Sequence, residues 1–158
     1  MKFSHIKIYL FFFSIVINAQ NQIKKLDFVN INDGESNVAV TSIIQDHYGY
    51  IWLGTAGVGI NRFDGINYVN YRHSLKDSTS INSSNIYCSY LDEKRRLWVG
   101  TEEGLNLYDR DLDRFIRIPI YDSTNQDEAI ALSIRSICDD GNNNLFIGSY
   151  AEGLFKLD

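Results

Sequence analysis

Few residue groups in this 158-residue chain have types and spacings suited to chemistry. Gly54-Thr55-Ala56-Gly57-Val58-Gly59 follows an apolar run, where a phosphate-cradling loop would sit. Its spacing is not Gly-x-Gly-x-x-Gly, and no Gly-Lys-Ser/Thr follows. Ile60 to Tyr71 lacks the helical period such a loop needs after it, so the segment reads as a turn. Asp140-Gly141-Asn142-Asn143-Asn144 sets oxygens at alternate positions, as a calcium loop would. The glycine at its sixth position and the carboxylate at its twelfth, here Ala151, are missing. His47 and His73 have no partner at metal-ligand spacing. Glu102-Glu103 suits solvated carboxylates better than a catalytic pair, and Lys94-Arg95-Arg96 suits a charged turn. Cys88 and Cys138 could pair in an oxidising compartment, but they sit two positions out of register in their repeats. Small, buried apolar residues is the better description of both. The sequence therefore predicts no catalytic residue, no cofactor and no metal ligand.

The elements that carry these groups recur. Ile51-Trp52-Leu53-Gly54-Thr55 returns after 46 residues as Leu97-Trp98-Val99-Gly100-Thr101, and after 48 more as Leu145-Phe146-Ile147-Gly148-Ser149. Six positions before each aromatic stands an aspartate: Asp46, Asp92 and Asp140. After each run comes a glycine (Gly59, Gly104, Gly153), a short apolar stretch and a further aspartate. Strands are predicted upstream at Val40 to Gln45, Ile86 to Leu91 and Ile134 to Asp139, and downstream at Asn67 to Arg72 and Arg114 to Ile118. Four short antiparallel strands at this period make a propeller blade. Ile51-Trp52-Leu53 is apolar at consecutive positions, so its strand must be covered on both faces. Burying one indole contributes roughly 4–6 kcal/mol gross, an upper bound. Gly54, Gly100 and Gly148 mark close backbone approach or a bulge. Gly49 takes the left-handed turn position of Asp46-His47-Tyr48-Gly49; Arg95 and Asn143 hold the same position, and Arg is the least suited of the three.

Asp-x-x-Gly-x-Ile-Trp-Leu-Gly-Thr followed by Gly-Ile-Asn-Arg-Phe-Asp-Gly resembles the two-component regulator propeller repeat. The resemblance runs from about Leu26 to Asp158, with Phe146 and Ser149 departing from it in the third unit. That repeat builds the periplasmic sensor region of hybrid two-component histidine kinases of the Bacteroidetes type. It implies an all-β chain: an incomplete β-propeller of about three four-stranded antiparallel blades, the last lacking its outer strand. It also implies a sensor of a carbohydrate-derived ligand such as an oligosaccharide, partnered by the remaining blades of a longer parent and working as a homodimer. The parent would be anchored in the inner membrane, with the kinase on a segment other than this one.

In chain order, residues 1–19 are expected to be a signal peptide, with Lys2 and Lys7 before the apolar stretch Ile8 to Ile17 and Ala19 at the cut. That stretch is shorter than the roughly 20 residues a membrane span needs, which favours export over anchoring. Residues 20–36 would supply a lone strand that closes the ring in the intact propeller. Residues 37–85 form blade 1 and a connector, 86–133 blade 2 and a connector, and 134–158 a partial third blade. Tyr71 to Asn85 and Tyr121 to Ser133 read as polar connectors. Three units do not close a ring, so the chain is expected to be a fragment.

The net charge of −5 argues against nucleic acid as a partner. Two other functions fit a propeller. One is a lyase or sialidase-like hydrolase, since the aspartate turn is similar to the sialidase aspartate box, although the Ser-x-Asp start is missing. The other is a secreted interaction propeller with no kinase attached.

Overall fold

The computed structural model describes residues 38–122 and 125–157. The predicted signal peptide and ring-closing strand lie outside the described residues. The fold is all-β, with no helix among the described residues. Strands β1 (Val40–Gln45), β2 (Ile51–Thr55), β3 (Ile60–Phe63) and β4 (Tyr68–Tyr71) form one antiparallel sheet in sequence order. A second four-stranded sheet holds β5 (Ile86–Leu91), β6 (Leu97–Thr101), β7 (Gly104–Asp109) and β8 (Arg114–Ile118). The short pair β9 (Tyr121–Asp122) and β10 (Asn125–Ala129) follows. A three-stranded sheet of β11 (Ile134–Asp139), β12 (Leu145–Ser149) and β13 (Leu154–Leu157) completes the described chain.

The core lies between sheets rather than within any one of them. Trp52, Ile60 and the connector's Ile81 pack against Ile86, Leu97, Val99, Tyr108 and Phe115 of the second sheet. Trp98 and Leu105 pack in the same way against Leu132, Ile134, Leu145 and Ile147. Each tryptophan is thus covered by the next blade, which is why its strand is apolar at successive positions. Tyr108 meets the Trp52 ring edge-on at 4.6 Å, and Tyr71 stacks on it at 5.7 Å.

The glycine of the first two motifs is explained by the same contact. A Cβ on Gly54 would lie 2.6 Å from Cγ2 of Ile86 and 2.3 Å from Ser42 Oγ. On Gly100 it would lie 2.7 Å from Cγ2 of Ile134 and 2.5 Å from Cys88 Sγ. Ile86 and Ile134, the first residues of β5 and β11, therefore sit directly over the glycine of the sheet before. Thr55 closes the other end of its hairpin by donating Oγ1–H to the Gly59 carbonyl at 2.6 Å, and Thr101 does so to Gly104 at 3.1 Å.

Several local expectations need correction. The predicted polar connector 121–133 contains the β9–β10 pair, and both connectors send a residue into the core: Ile81 and Leu132 are buried. The strand predicted at 67–72 is shorter, Tyr68–Tyr71, because Asp64 holds the backbone of Ile66 and Asn67 in a turn. Arg95 adopts the left-handed conformation at φ 62°, matching Gly49 at 89° and Asn143 at 71°. The hairpin geometry overrides the residue's own preference there. Cys138 is exposed and Cys88 only half-buried; both are free thiols, so the description as small buried residues fails for Cys138.

Replacing Gly54 by Ala should destabilise the chain by about 1–3 kcal/mol through overpacking on Ile86. The penalty should shrink in an Ile86→Ala background. Chemical denaturation of the four members of this cycle would show the coupling, and additive costs would mean that the two residues do not press on each other.

Candidate functional site

The chemistry repeated along the chain is concentrated in the β1–β2, β5–β6 and β11–β12 turns. Asp46 Oδ1 accepts the N–H groups of Tyr48 and Tyr50, at 2.9 and 3.1 Å, and Oδ2 accepts the indole Nε1–H of Trp52 at 3.0 Å. Asp92 does the same with the Arg96 N–H at 2.8 Å and the Trp98 indole at 2.9 Å. The six-residue spacing places the carboxylate at the mouth of the hairpin, opposite the edge of the ring. In the third turn the Phe146 ring has no N–H to give. Asn144 replaces it, donating Nδ2–H to Asp140 Oδ2 at 2.6 Å.

The first two carboxylates are buried and each has a cation. Arg96 Nε donates to Asp92 Oδ2 at 2.6 Å, and its guanidinium lies 5.0 Å from the Trp98 ring. Asp46 draws its cation from the next blade: Arg110 Nη2 donates to Oδ2 at 2.5 Å and lies 4.1 Å over the Tyr48 ring. Burial pushes both carboxyls up, but the indole, backbone and guanidinium hydrogen bonds outweigh it and hold both below the ordinary value. These aspartates are therefore committed as ionised structural acceptors.

A second cluster ties blade 1 to blade 2 at the same end. Arg62 Nη1 donates to Asp113 Oδ1 at 2.8 Å and to the Tyr108 hydroxyl at 2.5 Å. The hydroxyls of Tyr71 and Tyr108 each donate to that same carboxylate oxygen at 2.5 Å. Asp113 takes a left-handed φ of 48° to face them. Sequence reasoning missed this clasp and the roles of Arg62, Arg96 and Arg110. The available signal was departure from the repeat: Arg110 stands where blade 1 has Gly65.

The opposite end of the sheets carries the connectors. Buried Asn106 donates Nδ2–H to Asn82 Oδ1 at 2.6 Å and accepts the Asn82 N–H, fixing the connector on the blade. A groove of about 310 Å³ opens beside it, lined by Asn82, Glu103, Arg117, Pro119, Ile120 and Ile130 among others. Its size is that of a small-ligand pocket. Arg117 is partly engaged there, donating Nε–H to the Ser80 carbonyl at 3.0 Å. Among the described residues no group of three or more His, Cys, Asp or Glu is placed to hold a metal ion. His73 Nδ1 lies 3.0 Å from the Ile81 carbonyl, so it braces the connector. Burial pushes the Cys88 thiol up to about 11, which keeps it protonated near neutrality. Of the repeat residues predicted from sequence, Asp46, Trp52, Asp92 and Trp98 come together as pairs. Thr55 with Gly59, Thr101 with Gly104 and Ser149 with Gly153 close turns at the other end.

Residues 34–57 and 80–103 match the family described as two component regulator propeller. Over 70 residues the chain is 40% identical to Histidine kinase P4 of Formosa agariphila, covering 44% of this chain and 5% of that protein. It is also similar to the crystal structure of the extracellular domain of the hybrid two component system BT3049 from B. thetaiotaomicron, with 30% identity and a TM-score of 0.63. The match covers 78% of this chain and 15% of that one. The extracellular domain of BT4673 from the same organism is 26% identical with a TM-score of 0.66, covering 79% of this chain and 17% of that one. The chain thus spans a small part of each of these proteins. Among the described residues no helix is long and apolar enough to cross a membrane.

Asp92→Ala should cost about 3 kcal/mol, because it strands a buried indole N–H and unpairs Arg96; Trp98→Phe should cost less, since Arg96 still reaches the carboxylate. Thermal unfolding would order the two variants. The depressed carboxyls also set a pH dependence. Their contribution to stability is full above the ordinary carboxylate value, about 4, and is lost as pH falls through the lower folded-state values. Urea midpoints measured down to pH 2 should fall along that course in the parent chain and more weakly in the variants lacking Asp46 and Asp92.

Proposed function

We propose that this chain, which carries two-component regulator propeller repeats, works as part of the extracellular sensing propeller of a hybrid two-component regulator. The observation that carries this reading is the shared blade geometry at 26–30% identity over more than three quarters of the chain. The physical features agree with it. The aspartate turns and inter-blade clasps consume their charged groups in holding the scaffold, and the described residues resemble a sensor propeller rather than a catalytic domain. The connector end offers a groove on a rigid frame, where binding residues are expected to lie.

In this reading the ligand is carbohydrate-derived, and the intact propeller is completed by further blades of a longer parent. The parent is exported to the periplasm, anchored in the inner membrane and linked to a histidine kinase that responds as a homodimer. Ligand binding biases one of two arrangements of that dimer, and the kinase reads the difference.

Isothermal titration of the chain against a panel of oligosaccharides should find one class that binds without being cleaved. Chromatography of the recovered sugars checks the second point. Turnover would establish a glycan-processing enzyme instead, and a panel with no binder would remove the sensing role from this segment. The chain incubated with labelled ATP should show no autophosphorylation.

A further inference from the structure

Strands β1, β5 and β11 each carry a β-bulge at the same place. The pairing of β1 with β2 steps from Val40↔Thr55 to Ser42↔Gly54 and skips Thr41. That of β5 with β6 skips Tyr87, and that of β11 with β12 skips Arg135. A bulge frees one residue from the ladder and re-aims its side chain. The flanking positions keep their chemistry from blade to blade: Val40, Ile86 and Ile134 before the bulge, Ser42, Cys88 and Ser136 after it. The bulged residue does not; it is Thr, then Tyr, then Arg.

A second position behaves in the same way. The N–H groups of Ala56, Glu102 and Tyr150 make one repeated bond, to the carbonyls of Ala39, Asn85 and Ser133, at 2.9–3.0 Å. The side chains there are again unlike. The backbone is under a common constraint at both positions, and the side chains are released from it.

The two positions meet between blades 2 and 3. The Arg135 guanidinium lies 3.6 Å from the centre of the Tyr87 ring and 5.1 Å from that of Tyr150. Both contacts are with ring faces or their margin, within cation–π range. Arg135 and Tyr150 are exposed, the latter at 76%. Among the described residues the guanidinium has no hydrogen bond and no ion pair. This separates it from Arg62, Arg96 and Arg110, each of which is spent on a carboxylate. A guanidinium stacked on a ring at 3.6 Å keeps its N–H edges for a bidentate oxyanion. The neighbouring carboxylate at the equivalent rim position, Glu102, is occupied by Asn85 Nδ2 at 2.5 Å.

We infer that this rim, on β5 and β11 at the connector end, binds the anionic group of an acidic oligosaccharide, a carboxylate or a sulfate ester. Arg135 is the bidentate anchor, and Tyr87 and Tyr150 are the walls that hold it and flank the sugar. The saccharide part of this assignment rests on the sensing role proposed above; the anion part rests on the stack.

The test is titration of the chain with an oligogalacturonate, a sulfated galactose oligosaccharide and a neutral galactose oligosaccharide of equal length. One of the two acidic probes should bind more tightly than the neutral one, and which of them does so identifies the source of the anion. Arg135→Gln should weaken that binding roughly ten- to a hundredfold. Arg135→Lys should recover only part of it, since a point charge lacks the fork. Tyr150→Leu should weaken it with no change in charge. Melting curves should be unchanged in all three variants, as the site is exposed. Equal binding of acidic and neutral sugars, or an Arg135→Gln variant that binds as the parent does, would overturn the anion site while leaving the sensing role intact. Failure of every saccharide to bind would overturn both.

Discussion

The structure depends on one constraint: no sheet in it can cover its own tryptophan. Trp52 and Trp98 project from the second strand of their sheets toward a neighbour, and both are almost wholly buried only because that neighbour is present. The hydrophobic gain of each indole is therefore a property of two blades, not one. Everything at the interface follows. The glycine two residues on must lack a side chain so that an isoleucine can approach, and the indole N–H must find an acceptor within its own hairpin. The aspartate six residues earlier supplies it and closes the turn with the same carboxylate.

Repetition and departure from repetition do different work along the chain. Repeated residues fix the backbone: the aspartate, the aromatic, the glycine and the hydroxyl that ends the strand. Residues that break the pattern decide how one blade meets another or what the surface presents. Arg110, where the first blade has glycine, reaches 64 residues back to Asp46. Asn144 makes up for the missing indole of Phe146. Arg135 and Tyr150 alter the rim without altering a single repeated backbone bond there.

Most strands were legible because their pattern occurs three times, and a signal seen three times survives local ambiguity. The starts of β1, β5 and β11 agree with the expected residues for that reason. What was not legible occurs once. Asn125–Ala129 has a composition that disfavours strands and pairs with a two-residue partner. Ile81 and Leu132 sit in polar surroundings in sequence and enter the core only because the connector folds over the sheet. The Arg62–Asp113 clasp joins residues 51 positions apart with no counterpart in the repeat. Arg95 shows the reverse case, where an unsuitable residue takes the conformation the hairpin imposes.

The placement of Ile86 on Gly54 and of Ile134 on Gly100 gives the assembly a direction. The forward face of a blade is sealed by its successor, from the opening isoleucine to residues as late as Phe115, and Tyr71 of the first blade's own last strand adds one ring. The cover of Trp52 reaches to Tyr108 and Phe115, so a sheet keeps its forward side open until nearly the whole of the next sheet has been made. Each sheet thus serves as the lid for the one before it.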